Sequence, residues 1–171
     1  TDQVYEKEHN GVLMINILSH VVEFRNSESG QHVLHIRTLT GLLLHQLAQK
    51  TDRYQLDESD ISLISTASAL HDIGKIMIPE EILNKPGRLT EEEYATIKTH
   101  TTEGARILKG LAIGQDEPLV KVAHAICRWH HERWDGGGYP DRLKGDEIPI
   151  AAQVVALADV YDALTDQRAL L

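Results

Sequence analysis

The sequence predicts an all-α protein, a single helical bundle built from 171 residues. Three observations predict it. Apolar residues recur at helical spacing through almost every long segment. No segment alternates apolar and polar residues as a half-buried strand would. Glycine and proline gather at the breaks, at Pro79, Pro86-Gly87, Gly136-Gly137-Gly138, Pro140 and Pro149, where they interrupt helices and open loops. A chain of this length fits one compact domain and buries roughly 70% of its unfolded surface. Neither a disulfide nor a structural metal is needed merely to fold it.

In chain order, residues 1–22 are an N-terminal linker or a first helix. The stretch 1–10 is polar and weakly patterned, whereas 12–24 carries apolar residues at helical spacing. Residues 23–171 form the main domain. Within it, 33–47 repeats the helical pattern, and Asp57 caps a helix through Ile61, Ile64 and Leu70. Thr90 followed by Glu93 is a capping box, which opens a helix expected to run through Ile97, Ala105 and Leu108. Residues 119–129 and 151–164 complete the set. Two loops, 73–89 and 135–149, are left to carry function.

Composition narrows the function classes. The net charge of −9 makes non-specific binding to DNA unfavourable. It does not exclude a phosphate substrate, because a local cluster of cations can reverse the field at one site. No apolar run approaches the ~20 residues of a membrane span. The single cysteine, Cys127, rules out an intrachain disulfide and suits a small core residue in a reducing cytoplasm. Ten histidines are the unusual number, and histidine is the commonest metal ligand.

Their positions point to a metal centre. His71-Asp72 offers a nitrogen and two oxygens, and both side chains reach one ion if the helix ends there, as Gly74 implies. Lys75, four residues after His71, is expected on the same helical face, where it would meet a phosphate oxygen. An isolated His-Asp pair is usually an ordinary helix end, but this one has company. His130-His131 aim two imidazoles in different directions and precede a Trp- and Gly-rich loop. His100 lies within a helix, where a lone histidine is most often structural. Asp159 lies in an apolar helical stretch, where a carboxylate is costly unless paired or metal-bound. Glu28 and His32 are one turn apart, a common spacing for two ligands of one ion and also a common accident. The eight candidates exceed the three or four ligands of a mononuclear site, so two or three divalent ions are expected. Nitrogen and oxygen donors without cysteine suit iron, manganese or another first-row metal. His9, His20, His35, His45 and His124 read as structural or surface residues.

The segment Leu70-His71-Asp72-Ile73-Gly74-Lys75 resembles the signature of the HD superfamily of metal-dependent phosphohydrolases. The stretch from His130-His131-Glu132-Arg133-Trp134-Asp135 to Gly136-Gly137-Gly138-Tyr139-Pro140 is far more specific. It resembles the HD-GYP subgroup, with Gly138-Tyr139-Pro140 as the naming tripeptide. Further matches are Ile78-Pro79, Lys85-Pro86-Gly87, Leu143-Lys144-Gly145, Ile148-Pro149 and the run from Ala158-Asp159 to Leu164-Thr165, so the resemblance covers roughly residues 23–168.

The resemblance implies an HD-type helical bundle with a metal site in its core, hydrolysing cyclic di-GMP to pGpG and in some members on to GMP. It implies metal binding by His32, His71, Asp72, His100, His130, His131 and Asp159, with Glu28 as the extra carboxylate of members that hold a third ion. Asp72 and Lys75 would carry catalysis, and Lys75, Tyr139 and Arg168 would face substrate. An upstream sensor or receiver domain and a diguanylate cyclase are the implied protein partners. The chain departs from the family at His35, where many members have arginine, and at the tail Arg168-Ala169-Leu170-Leu171, which lacks the usual aromatic-plus-lysine ending. It also stops where the family commonly runs on for more helices. Two rival readings are another HD-type nucleotide phosphohydrolase, which His71-Asp72 alone would permit, and a catalytically silent receptor for cyclic di-GMP or a protein. The second is disfavoured because every expected ligand position is filled.

Overall fold

The computed structural model describes residues 2–25, 31–111 and 114–165, with side chains from His9 onward. Among these residues the fold is all-α, as the periodicity predicts. The helices are α1 (Asp2–Arg25), α2 (Gln31–Lys50), α3 (Glu58–Ser68), α4 (Glu80–Leu83), α5 (Glu91–Lys98), α6 (His100–Lys109), α7 (Pro118–Trp129) and α8 (Ile150–Thr165). Short 3-10 turns at Ile73–Met77 and Gly145–Glu147 sit inside the two loops.

Local chemistry sets the helix starts. Asp57 accepts the Asp60 amide at 2.8 Å and the Asp60 carboxylate accepts the Asp57 amide at 3.2 Å. Thr90 and Glu93 form the same reciprocal pair at the head of α5. Each satisfies orphan amides and is worth about 1 kcal/mol. Glu93 also takes the Lys85 ammonium at 2.6 Å, tying the first loop to α5.

Helices α2, α3, α7 and α8 pack around one apolar core that includes Ile36, Leu44, Ile64, Ile126 and Val155. Cys127 lies in it, fully buried, with its thiol donating to the Leu70 carbonyl at 3.0 Å. Helix α6 and the first 3-10 turn close one side against α7. Gly74 makes that closure possible. A Cβ there would overlap the His100 carbonyl oxygen and stand 2.5 Å from the Gly104 amide nitrogen. Only glycine lets this turn lie directly on the α6 backbone.

The structure corrects two expectations. The single helix expected from Thr90 through Leu108 is interrupted at Thr99, so that α5 ends and α6 begins on either side of it. Threonine hydroxyls crowd the joint: Thr99 Oγ1 donates to the Thr96 carbonyl at 2.6 Å and Thr101 Oγ1 to the Lys98 carbonyl at 2.9 Å. Such side chains compete with the helix for its own carbonyls. The break starts α6 on His100. Lys75, expected on an α-helical face with His71, instead lies in the 3-10 turn, because α3 already ends at Ser68.

Candidate metal centre

Four junctions deliver the candidate ligands to one place. The turn after α3 presents His71 and Asp72, and the first residue of α6 presents His100. The end of α7 presents His130 and His131, while α2 and α8 contribute His32 and Asp159 from the far side. Three of the imidazoles are anchored through Nδ1 to a carbonyl of their own chain segment. His71 donates to Ser68 at 2.9 Å, His100 to Ile97 at 2.7 Å and His130 to Ile126 at 2.9 Å. That contact places the proton on Nδ1 and leaves the Nε2 lone pair for a ligand.

The donors form two groups, His32 with His71 and Asp72, and His100 with His130 and His131. Within each group one ligand atom per residue lies within 4.8 Å of the others. Asp159 extends the first group, its Oδ1 standing 3.7 Å from His32 Nε2. Asp72 stands between the two. Its Oδ2 is 3.3 Å from His71 Nε2, and its Oδ1 is 3.2 Å from His100 Nε2 and 3.8 Å from His130 Nε2. Of the residues singled out from sequence, these seven are brought together, and Glu28 and Arg168 lie outside the described residues.

The donor set fits divalent cations. His71 Nε2 and Asp72 Oδ1 are buried without a hydrogen-bond partner, and buried polar atoms are rarely left so unless an ion or water completes them. All donors are nitrogen or oxygen, the set that first-row divalent metals accept. For His100, His130 and His131 the electrostatics agree. Burial, with like-charge pressure from His131, drives the His130 imidazole well below its ordinary pKa. Burial and His100 bring His131 down to about 4, and burial also lowers His100. Neutral imidazoles are the form a metal needs. Burial pushes His71 down too, but the adjacent Asp72 carboxylate outweighs it and holds the ring up at about 9. Burial opposes ionisation of Asp72, yet Lys75, His71 and His100 together hold it well below the usual carboxylate range. Asp159 is raised by burial and by the neighbouring Asp72 charge, though His71 and His32 oppose the shift.

Lys75 places its ammonium 2.7 Å from Asp72 Oδ2, at the edge of both groups. Tyr139 stacks on His131 with ring centroids 4.9 Å apart, and Lys98 lies 5.8 Å from the Tyr139 ring centre. Glycine serves the loop itself at Gly138, where a Cβ would fall 2.5 Å from the Glu132 Cα and 2.6 Å from the His131 carbonyl oxygen.

Sequence reasoning missed two residues that shape this site. Glu132 is buried and accepts the amides of Asp141 at 2.7 Å and Leu143 at 3.0 Å, pinning the second loop to the end of α7. No local pattern announces that role. Asp162 is also buried and bonds His32. Its position three residues after Asp159, on the same face of α8, was the available signal.

The pattern of the HD domain family matches residues 13–170. The chain belongs to the HD domain family. Among its curated relatives, a 3'3'-cGAMP-specific phosphodiesterase of Vibrio cholerae is 42% identical over 151 residues, covering 88% of this chain and 27% of the relative. A cyclic di-GMP phosphodiesterase of Thermotoga maritima is 40% identical over 155 residues, covering 91% of this chain and 39% of the relative. A cyclic di-GMP phosphodiesterase response regulator of Xanthomonas campestris is 36% identical over 167 residues, covering 98% of this chain and 40% of the relative. The chain thus spans well under half the length of these relatives. As an HD domain with a His/Asp cluster it is suited to divalent metals. Among the described residues no helix is long and apolar enough to cross a membrane.

Proposed function

We propose that this HD domain is a cyclic di-GMP phosphodiesterase of the HD-GYP type, giving linear pGpG, which some members of that type carry on to GMP. The observation that carries the reading is Asp72, standing between two ligand groups with the Lys75 ammonium 2.7 Å from its carboxylate. His32, His71, Asp72 and Asp159 would hold one ion and His100, His130 and His131 another, with Asp72 shared between them. Glu28 would add a third. Iron or manganese is the metal proposed, since both accept mixed imidazole and carboxylate ligation. Bound ions of this kind lower the pKa of a coordinated water toward ~7 and polarise phosphoryl oxygens.

The chain's own residues would do the rest. Lys75 would offset charge gathering on the phosphoryl oxygens as a water oxygen bonds to phosphorus and the bond to the ribose 3' oxygen breaks, that oxygen leaving as a hydroxyl with a proton from the water. Tyr139, fixed by its stack on His131, would border the substrate, and Arg168 is proposed as a further substrate contact. Glu132 holds the loop carrying Tyr139 through the amides of Asp141 and Leu143. An upstream sensor or receiver domain would regulate the activity in the cytoplasm, a reading the response-regulator relative supports, with a diguanylate cyclase as counterpart.

The test is hydrolysis of cyclic di-GMP by anaerobically purified protein with its metal content measured. Turnover should vanish with a chelator and return with iron or manganese. The 42% identical relative that is specific for 3'3'-cGAMP motivates a second reading, in which that hybrid dinucleotide is preferred. Comparing kcat/KM for both dinucleotides and a panel of nucleoside monophosphates and triphosphates separates the two, and activity on the panel alone would overturn both.

A further inference from the structure

The histidines of the centre are not all held in the same way. His71, His100 and His130 each rest on a backbone carbonyl of their own segment, a partner that no substitution removes. Among the described residues His32 meets no such carbonyl. Its Nδ1 reaches across to α8 and meets Asp162 Oδ2 at 2.6 Å. The other oxygen of that carboxylate, Oδ1, receives Nδ1 of His35 at 2.9 Å. His32 and His35 are three residues apart on α2 and so share a face. Together they form a two-pronged clasp on one buried side chain of α8.

Burial and chemistry give the clasp a direction. The side chains of His32 and Asp162 are each 8% exposed, whereas His35 is 54% exposed. A carboxylate so enclosed requires hydrogen bonds to be tolerated. As an acceptor it draws the proton of His32 to Nδ1, which frees Nε2 on the side facing Asp159 Oδ1, 3.7 Å away. His35 occupies the remaining oxygen from the surface and keeps the carboxylate from rotating.

We infer that Asp162 is a positioning residue that sets the tautomer and aim of His32, and that His35 steadies Asp162 in that role. This rests on the reading of His32 as a metal ligand. Carboxylates that orient a ligating imidazole are worth about 10–100-fold in metal affinity, and here the carboxylate also joins α2 to the helix that carries Asp159.

The experiment uses the full chain and two readouts besides activity. Long-range nitrogen–proton NMR on metal-free protein reports the His32 tautomer. Chelator competition reports the affinity of each ion. Wild type should show His32 protonated at Nδ1. Asp162→Asn should shift it toward Nε2 protonation and weaken one ion about 10–100-fold, leaving the His100, His130 and His131 ion unchanged. His35→Ala, a surface change that keeps the buried carboxylate, should produce a smaller shift in the same direction. His35→Arg should restore wild-type behaviour by donating to the same oxygen. An unchanged tautomer and unchanged affinities in both Asp162→Asn and His35→Ala would overturn the inference. Wild-type metal content in His32→Ala would instead overturn the ligand reading beneath it.

Discussion

The two ligand groups flanking Asp72 are built on different principles. His100, His130 and His131 are all nitrogen, and burial holds all three neutral. They are supplied by the start of α6 and the end of α7, elements packed closely together. The other group mixes His32 and His71 with Asp72 and Asp159. There the neighbouring carboxylates hold His71 up at about 9. Its members come from α2, α8 and the turn after α3. The first group is a pocket of neutral donors made chiefly by burial, with the imidazoles pressing on one another. The second is a charge-compensated cluster whose order depends on carboxylates placed by distant helices. Asp72 belongs to the second and stands 3.2 Å from His100 of the first, and the Lys75 ammonium lies 2.7 Å from its carboxylate.

The largest expected effect comes from removing the shared member. Asp72→Ala should take both ions from the centre and bring hydrolysis to the chelator-treated background while circular dichroism stays helical. Wild-type turnover in that variant would show the groups to be independent of Asp72. His100→Ala should act on one side, with elemental analysis finding the imidazole-group ion lost and the other retained. Equal loss of both would mean that the two groups fill only together.

Lys75→Ala touches neither set of nitrogens. Metal content should stay at the wild-type value while kcat falls about 10²–10³-fold, the scale on which one stabilising contact to developing charge is felt. A change in KM alone would make Lys75 a binding group only. The smallest effect is expected at Glu28→Ala. A third ion present in wild type should disappear from this variant and the other two remain, and equal metal content in both proteins would reduce Glu28 to a residue preceding α2.

Much of this was legible before the fold was known. Adjacent pairs such as His71-Asp72 and His130-His131 show as local signals, because one such pair is usually an ordinary helix end but two in one chain, the second before a Trp- and Gly-rich loop, are not. The helix starts at Asp57 and Thr90 were equally plain, since a cap is a contact over three residues. The interruption at Thr99 was not, although the threonines that cause it are visible. The spacing of Ile97, Ala105 and Leu108 continues across the joint as if the helix were whole.

By itself the sequence determined the helical class, the caps, the donor chemistry and the residues of a His/Asp cluster suited to divalent metals, because each is carried by residue type and short-range spacing. Only the tertiary structure decided how seven side chains divide into two groups around Asp72. It also decided that Gly74 seats its turn on the α6 backbone, and that Asp162 of a distant helix meets His32 Nδ1. The physical reason is separation. His32 and Asp162 lie 130 positions apart, and His100 and His130 lie 30 apart. No periodicity reports which distant side chains will share one desolvated volume, where each must find its partner in another helix.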